Sequence, residues 1–221
     1  AKGATSNGSA GIGGKTGEST KNIIIEGYAT VDATGGGQGA GIGGGGGTAG
    51  HVSGDAENII IRGHSKVKAT ACNGAAIGGG SAGWGNSYYG GSAKGIVICD
   101  YATVAARSDT GHGAAIGAAG DNGNDTEAEV TIGTAGATAE QEDVHVTATG
   151  FCGSAIGNGA KDTKVTIQGH STIRMESIRG NSTAIGSKDG DVEVNIKDNA
   201  SIDPAPSAGI SSDIAGGCDI G

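Results

Sequence analysis

The chain has 221 residues, of which 48 are glycine and two are proline, and aromatic residues make up 3% of it. Large rings therefore cannot fill an ordinary globular core, the lack of a Gly-X-Y period excludes collagen, and so much glycine disfavours a helical bundle. The net charge of -9 makes nucleic acid an unsuitable partner, and no apolar run approaches the roughly 20 residues needed for membrane insertion. A β-rich chain that packs small residues closely remains.

A four-residue box, small-small-Ile-Gly, recurs along the whole chain and organises it. Its isoleucines stand 25 to 40 residues apart. The copies occupy residues 10–13, 40–43, 75–78, 114–117, 154–157 and 183–186, with a degenerate copy at 208–211. Self-similarity at such a period is typical of a stacked repeat architecture.

Each box is followed by a second block with two short stretches of period-2 alternation, which indicate strands rather than helices. The blocks occupy residues 23–33, 59–69, 96–106, 165–175 and 194–204, and in the fourth unit an insertion separates 130–132 from 144–146. Three short strands per unit cannot bury a face alone, so the units must stack. We predict an all-β fold: a single right-handed parallel β-helix of about six coils over residues 1–221. Its handedness rests on the crossover rule for parallel strands.

Alternation also assigns the faces of the strands. In the first unit Ala10 and Ile12, Ile23 and Ile25, and Val31 and Ala33 are predicted to point inward, and the same columns recur in the later units.

The boxes at 39–44 (Gly-Ala-Gly-Ile-Gly-Gly), 58–61 (Asn-Ile-Ile-Ile) and 171–173 (Ser-Thr-Ile) resemble a glycine-rich repeat of large secreted or surface-anchored proteins of Gram-positive gut bacteria. The resemblance covers essentially the whole chain. It implies a parallel β-helix, an extracellular location on a bacterial surface or in secreted form, and an adhesive role for a fragment of a larger protein. It brings no catalytic residues.

The outward column of the first strand is predicted to carry almost no side chains. It reads Gly11, Gly41, Ala76, Ala115, Ala155 and Ala184. Either loops from neighbouring corners cover this face or it is a bare sheet, and a bare sheet would let a flat partner, including a second copy of the chain, approach the backbone.

The second strand places Ile24, Ile60 and Val97 outward on adjacent units, followed by Thr131 and Thr166. Three exposed aliphatic residues would form a contact patch, unless the long preceding loops fold over it. The next corner carries side chains that are predicted to be in register: Tyr28, His64, Tyr101, His170 and Asn199.

Three of the six aromatic residues, Trp84, Tyr88 and Tyr89, fall in the glycine-rich loop 79–91. Rings with amide and hydroxyl neighbours suit stacking on sugars or an anchored protein contact, although these rings can instead fold back over the aliphatic column. The candidate binding site is therefore Trp84, Tyr88 and Tyr89 together with Ile24, Ile60 and Val97. The expected partner is a host glycan or a host protein such as a mucin or an immunoglobulin, and self-association is a further candidate.

Cofactor and redox signals are weak. The turn with Asp121 and Asp125 is the densest oxygen-rich segment and is therefore a candidate calcium site. It lacks the spacing of an EF-hand loop, and the alternative interpretation is a turn exposed to solvent. The four cysteines, at 72, 99, 152 and 218, form no C-x-x-C pair, which argues against zinc. We expect free thiols, with a Cys152–Cys218 bridge as the remaining alternative.

The sequence therefore favours a non-enzymatic extracellular binding or adhesion module. A carbohydrate-active β-helix enzyme, a lyase or hydrolase, would need carboxylates converging on one face. The outward column of the third strand has no carboxylates on adjacent units: Asp32, Lys68, Ala105, Thr147, Arg174 and Asp203. Ice binding would need a regular threonine array, which charge and imidazole interrupt. A purely structural stalk is the third alternative.

Overall fold

A computed structural model describes residues 1–4, 8–47, 52–82, 89–120, 126–157, 161–178, 183–187 and 190–204. These residues form eighteen strands and no helix, and every pair of neighbouring strands is parallel. Three strands make one coil, and six coils stack. The predicted all-β solenoid with three strands per coil is confirmed; its right-handedness stays a prediction.

Each of the three sheets takes one strand from every coil. The first sheet consists of β1 (Ile12–Gly13), β4 (Ile42–Gly43), β7 (Ile77–Gly78), β10 (Ile116–Gly117), β13 (Ile156–Gly157) and β16 (Ile185–Gly186). The second consists of β2 (Thr20–Ile25), β5 (Ala56–Ile61), β8 (Ala93–Ile98), β11 (Ala128–Ile132), β14 (Thr163–Ile167) and β17 (Val192–Ile196). The third consists of β3 (Thr30–Thr34), β6 (Lys66–Ala71), β9 (Thr103–Ser108), β12 (Val144–Gly150), β15 (Ser171–Ser177) and β18 (Ser201–Pro204).

The core consists of aliphatic ladders that run along the solenoid axis. Ile42 lies between Ile12 and Ile77 of the adjacent coils, and Ile59 lies between Ile23 and Ile96. The isoleucines of the inner coils are fully buried, whereas Ile12 and Ile23 of the first coil are only partly buried. The predicted inward columns that begin with Ile12, Ile23, Ile25, Val31 and Ala33 are confirmed. The column of Ala10, Ala40, Ala75 and Ala114 is buried but lies outside this contiguous core. Because each coil buries its inward face against the next, no large side chain is needed to fill the core.

The last residue of each box is a glycine because there is no room for a side chain. Gly43, Gly78 and Gly117 have φ angles of 137, 138 and 136°, a region that other residues rarely adopt. A Cβ atom at any of them would lie closer than 3.0 Å to the carbonyl oxygen of the box glycine in the next coil. The box therefore fixes both the backbone turn and the spacing of the coils.

The prediction that Gly41, Ala76, Ala115, Ala155 and Ala184 form an outward column is wrong. They are buried, and the alanines belong to the core. The chain bends at this position just before the two-residue strand, so two consecutive residues face the interior and simple alternation does not hold. This column is therefore not a bare surface on which a flat partner could dock.

Glycine-rich loops pack beside the first sheet and hydrogen-bond to one another from coil to coil. The amide of Gly45 donates to the carbonyl of Glu18, Gly54 to Gly45, Gly80 to Gly54, Gly91 to Gly80, and Ala119 to Gly91. At Gly45, Gly54, Gly80 and Gly91 a Cβ atom would collide with the backbone of a neighbouring loop. Much of the glycine content thus serves a layer of closely packed backbone.

The strands of the second sheet differ between the two halves of the solenoid. In coils 1 to 3 they hold one extra residue, Asn22, Asn58 or Gly95, with a positive φ angle. In coils 4 to 6 this residue is missing, and the pairing between β8 and β11 shifts accordingly. The extra residue is a β-bulge, which adds an exposed or half-exposed position to the outer face of coils 1 to 3.

The predicted insertion lies between β11 and β12, and a buried carboxylate holds it in place. Glu142 is 1% exposed, and its carboxylate accepts hydrogen bonds from the backbone amides of Asp100 (2.9 Å) and Thr134 (2.8 Å). Asp198 accepts from the amide of Gly136 (2.9 Å), and the side chain of Gln168 donates to the carbonyl of Gly133 (3.2 Å). The insertion thereby contacts residues of coils 3, 5 and 6.

Candidate functional site

The aliphatic column of the second sheet faces outward, as predicted. Ile24, Ile60 and Val97 are in register on β2, β5 and β8. Ile24 is 53% exposed, and Ile60 and Val97 are half-buried. Beyond them the column continues with Thr131 and Thr166 on β11 and β14. The apolar part of the face is therefore confined to coils 1 to 3.

An aromatic stack lies at the corner that follows these strands. The ring centroids of Tyr28 and His64 are 5.0 Å apart, and those of His64 and Tyr101 are 4.6 Å apart, with interplanar angles of 11° and 16°. Tyr28 is 83% exposed, and the hydroxyl of Tyr101 donates to the carbonyl of Glu140 (2.5 Å). The predicted register is confirmed for Tyr28, His64 and Tyr101, while His170 and Asn199 are not part of this stack. Each of the three rings belongs to the fourth residue after a member of the aliphatic column.

The pair Glu26–Arg62 separates the aliphatic column from the aromatic stack. The guanidinium donates from Nε (2.9 Å) and Nη2 (2.6 Å) to one carboxylate oxygen of Glu26. This hydrogen bond and the charge of Glu26 raise the pKa of Arg62. In the third coil Cys99 occupies the same position, and burial together with the charges of Asp100 and Glu142 raises its thiol pKa to about 11. In coils 1 to 3, aliphatic, charged and aromatic side chains thus follow one another from the end of each second-sheet strand to the corner after it.

The aromatic loop cannot be joined to this surface. Trp84 and Tyr88 lie outside the described residues. Tyr89 is 53% exposed, and its carbonyl accepts a 3.4 Å hydrogen bond from the amide of Ser53, before the start of the second-sheet strands. Val97 lies four residues past the start of β8, roughly 13 Å further along the strand. The structure brings Ile24, Ile60 and Val97 together; that the aromatic loop joins them stays a prediction.

Sequence reasoning missed a ladder of alternating charges near the start of the second-sheet strands. We call it the charge ladder; its residues are Lys21, Glu57, Lys94, Glu129, Lys164 and Glu193, one from each coil. All six are exposed. The sequence hides this alternation because the bulge makes the offset to the following isoleucine or valine two residues in coils 1 to 3 and one residue in coils 4 to 6.

Ion pairs connect most of the charge ladder within the chain. Lys21 pairs with Glu57 (2.5 Å), and Lys164 pairs with Glu193 (3.4 Å). Lys94 instead pairs with Glu127 (2.7 Å), and this contact raises the pKa of Lys94. Among the described residues no cation lies within ion-pair distance of Glu129.

A groove of about 490 Å³ lies along the charge ladder in coils 3 to 6. Its charged lining residues are Lys94, Glu127, Glu129, Asp162, Lys164, Asp191 and Glu193. It overlaps the bulged coils only at Lys94 of coil 3 and otherwise follows the coils that lack the bulge residue.

Acidic and serine side chains before the second-sheet strands have a structural role. Ser19 accepts from the amide of Asp55 (3.0 Å), and Asp55 from the amide of Ser92 (2.8 Å). Asp162 accepts from the amide of Asp191 (3.2 Å). Each side-chain oxygen therefore accepts a hydrogen bond from a backbone amide of the adjacent coil just before the second-sheet strands begin. These bonds extend the hydrogen-bonded contact between coils beyond the ends of the strands.

The predicted calcium site is not tested by the structure, whereas the expected free thiols are found at the three cysteines that it describes. Asp121 and Asp125 lie outside the described residues. In the part of the chain that the structure describes, no cluster of three or more His, Cys, Asp or Glu side chains could hold a metal ion. Cys72, Cys99 and Cys152 are free thiols, while Cys218 lies beyond the described residues, so the alternative bridge to it is untested.

No helix among the described residues is long and apolar enough to cross a membrane. Comparison with protein-family models, with curated proteins and with solved structures finds no match to this chain. Its function must therefore be argued from the contacts and surfaces described above.

Proposed function

We propose that the chain is a non-enzymatic binding module of an extracellular bacterial protein, with its ligand surface on coils 1 to 3. The observation that carries this proposal is the confinement of outward apolar side chains and stacked rings to one half of a regular sheet. The aliphatic column Ile24, Ile60 and Val97 lies beside the stack of Tyr28, His64 and Tyr101. The extracellular location rests on the resemblance of the repeat to those of secreted and surface-anchored proteins.

The ligand is a host glycan or a host protein such as a mucin or an immunoglobulin. A sugar ring or an apolar side chain can lie flat on aliphatic carbons, and an exposed ring such as Tyr28 can stack on its edge or face. The Glu26–Arg62 pair between the two groups offers charged hydrogen-bonding atoms that orient such a ligand. Apolar area with a few fixed polar atoms is the usual composition of both glycan and protein sites.

Carboxylates in the groove support a non-catalytic role because most of them already have partners. Glu127 pairs with Lys94. Glu193 accepts a 2.8 Å hydrogen bond from the side-chain amide of Asn195 and pairs with Lys164, and these contacts lower the pKa of Glu193. Asp162 binds a backbone amide. A general acid in a glycosidase instead needs a raised pKa. Release of reducing ends from a panel of polysaccharides would contradict the proposal.

The test is binding of the fragment to a glycan array and to immobilised host mucins and immunoglobulins. The first variant is Ile24→Thr/Ile60→Thr/Val97→Thr, which introduces the residue that coils 4 and 5 carry at the same position and so preserves the strands. Loss of this apolar area should weaken binding about tenfold or more. Thr147→Ala on the third sheet is the control and should leave binding unchanged.

A second variant, Trp84→Ala/Tyr88→Ala/Tyr89→Ala, tests the predicted aromatic loop separately. If both multiple variants bind as the parent does, the proposed surface is wrong. If only the loop variant loses binding, the ligand site lies in the loop and the described surface of coils 1 to 3 is not the site.

A further inference from the structure

We infer that the outer face of the second sheet pairs with the same face of a second copy, with the two solenoid axes antiparallel. The inference goes beyond the proposed function and rests on the charge ladder, on its one carboxylate without an ion pair among the described residues, and on the positions of the bulges and the groove. The partner is this chain itself.

The charge ladder is self-complementary in one orientation only. When two copies meet face to face with antiparallel axes, coil 1 faces coil 6, coil 2 faces coil 5, and coil 3 faces coil 4. Lys21 then faces Glu193, Glu57 faces Lys164, and Lys94 faces Glu129, and the twofold axis repeats each pair. With parallel axes the strands of the two copies would run in opposite directions, so the charge ladder of one copy would face the strand ends of the other and not its charge ladder. Six alternating charges thus select an isologous antiparallel pair.

Glu129 provides an independent indication. Among the described residues it is the member of the charge ladder without an ion pair within its own chain. It lies in coil 4, next to the centre of the face and therefore next to the twofold axis. Its charge acts on Lys94 of its own chain only from beyond ion-pair distance. In the antiparallel pair it meets Lys94 of the second copy as well, beside the twofold axis.

The bulges and the groove lie in different parts of the face. The bulge residues Asn22, Asn58 and Gly95 lie on coils 1 to 3, and the groove of about 490 Å³ extends from Lys94 of coil 3 to coil 6. Antiparallel pairing places the bulge residues of each copy opposite coils 4 to 6 of the other, which line most of the groove. Asn22 and Asn58 are exposed and are joined by a 2.7 Å hydrogen bond between their side chains.

The size of the face indicates a weak pair. Six strands about 4.8 Å apart and five to six residues long span roughly 24 by 18 Å, or about 900 Å² in total for both copies. This lies at the lower limit for specific interfaces, so the pair should be transient and sensitive to salt. Because Ile24, Ile60 and Val97 lie on the same face, pairing would also cover the proposed ligand surface.

Sedimentation equilibrium of the fragment at 20 and 500 mM NaCl tests the inference. A dimer is expected at low salt, with its dissociation constant rising about tenfold or more at high salt. Glu129→Lys and Lys94→Glu should each weaken self-association about tenfold or more, because each places like charges beside the twofold axis. Mixed in equal amounts, the two variants should form a heterodimer in which both central pairs are again of opposite sign.

Asp32→Lys changes the net charge by as much as Glu129→Lys but lies on the third sheet, and it should dimerise like the parent. A parent that is monomeric at 20 mM NaCl, a mixture that fails to associate, or an equal loss in Asp32→Lys would each overturn the inference. Ligand binding by the monomeric Glu129→Lys variant is read separately, so failure of this inference and failure of the proposed function are distinguishable.

Discussion

Replacement of Gly117 by alanine should strongly destabilise the solenoid. Gly117 has a φ angle of 136°, which costs other residues about 1–3 kcal/mol. Its Cβ would also collide with the carbonyl oxygen of Gly157, the atom that accepts the 3.0 Å hydrogen bond from Ala118. Moving that oxygen leaves a buried amide unsatisfied, at about 1–3 kcal/mol. We expect a total loss of about 4 kcal/mol, a large share of the 5–15 kcal/mol that is typical for a domain.

Gly27→Ala is the matched control, because Gly27 also has a positive φ angle, 70°, but a Cβ there would have no atom within 4 Å. It should lose only the cost of the left-handed backbone, about 1–2 kcal/mol. Urea unfolding followed by strand circular dichroism measures both, provided that the m-values agree. The reasoning is refuted if Gly117→Ala is no less stable than Gly27→Ala, since the contact between box glycines would then not limit the coil spacing.

Three further predictions concern the thiol and the acidic groups. The native Cys99 thiol should react with a disulfide reagent at pH 8 roughly 100-fold more slowly than in the urea-unfolded chain, because its pKa of about 11 leaves little thiolate; equal rates would contradict this. Glu142→Ala should lower the free energy of unfolding by about 2–4 kcal/mol, because it leaves two amides without acceptors, whereas Glu140→Ala should change it little. Amides of Gly136 and Gly169 lower the pKa of Asp198, so the stability that it contributes is present above its unfolded pKa and lost as pH falls through the lower folded pKa. The urea midpoints of the parent and Asp198→Ala should therefore converge towards pH 2, and a difference that is independent of pH would exclude this contribution.

The sequence predicted the core because the inward columns repeat with little variation. Each isoleucine of a box contacts its counterpart in the next coil, so any polar substitution would be buried, and the pattern is visible without an alignment. The insertion between Ile132 and Val144 was located for the same reason, since both flanking stretches match their columns.

The first sheet could not be predicted in the same way. Its strands are two residues long, and the bend before Ile77 turns Ala76 inward as well, so alternation does not apply. The cover beside this sheet is glycine backbone held by hydrogen bonds between loops, as at Gly54 and Gly80, and it carries no hydrophobic pattern. The sequence pattern of these small residues predicted a bare surface, whereas the structure packs them closely against neighbouring backbone.

The sequence predicted only those parts of the candidate site whose positions follow from the repeated columns. The outward positions of Ile24, Ile60 and Val97 follow from alternation, and they are confirmed. Whether the loop with Trp84 reaches them depends on a loop conformation that no repeat constrains. The charge ladder depends on register across the bulge, which the sequence does not show directly because the bulge residue is asparagine in coils 1 and 2 but glycine in coil 3 and is missing from coils 4 to 6.

The bulge links the shape of the outer face to its chemistry. The first three coils each hold one extra residue in the second-sheet strand, and the same three coils carry the aliphatic column and the aromatic stack. The other three coils lack the residue, carry threonine and asparagine in the column, and contain the charged groove. Because the inward columns are nearly identical in both halves, the core does not require this division. Deleting Asn58 should therefore leave the aliphatic ladders intact while it removes one exposed bulge residue from the outer face. Binding at the outer face should then change more than the free energy of unfolding does.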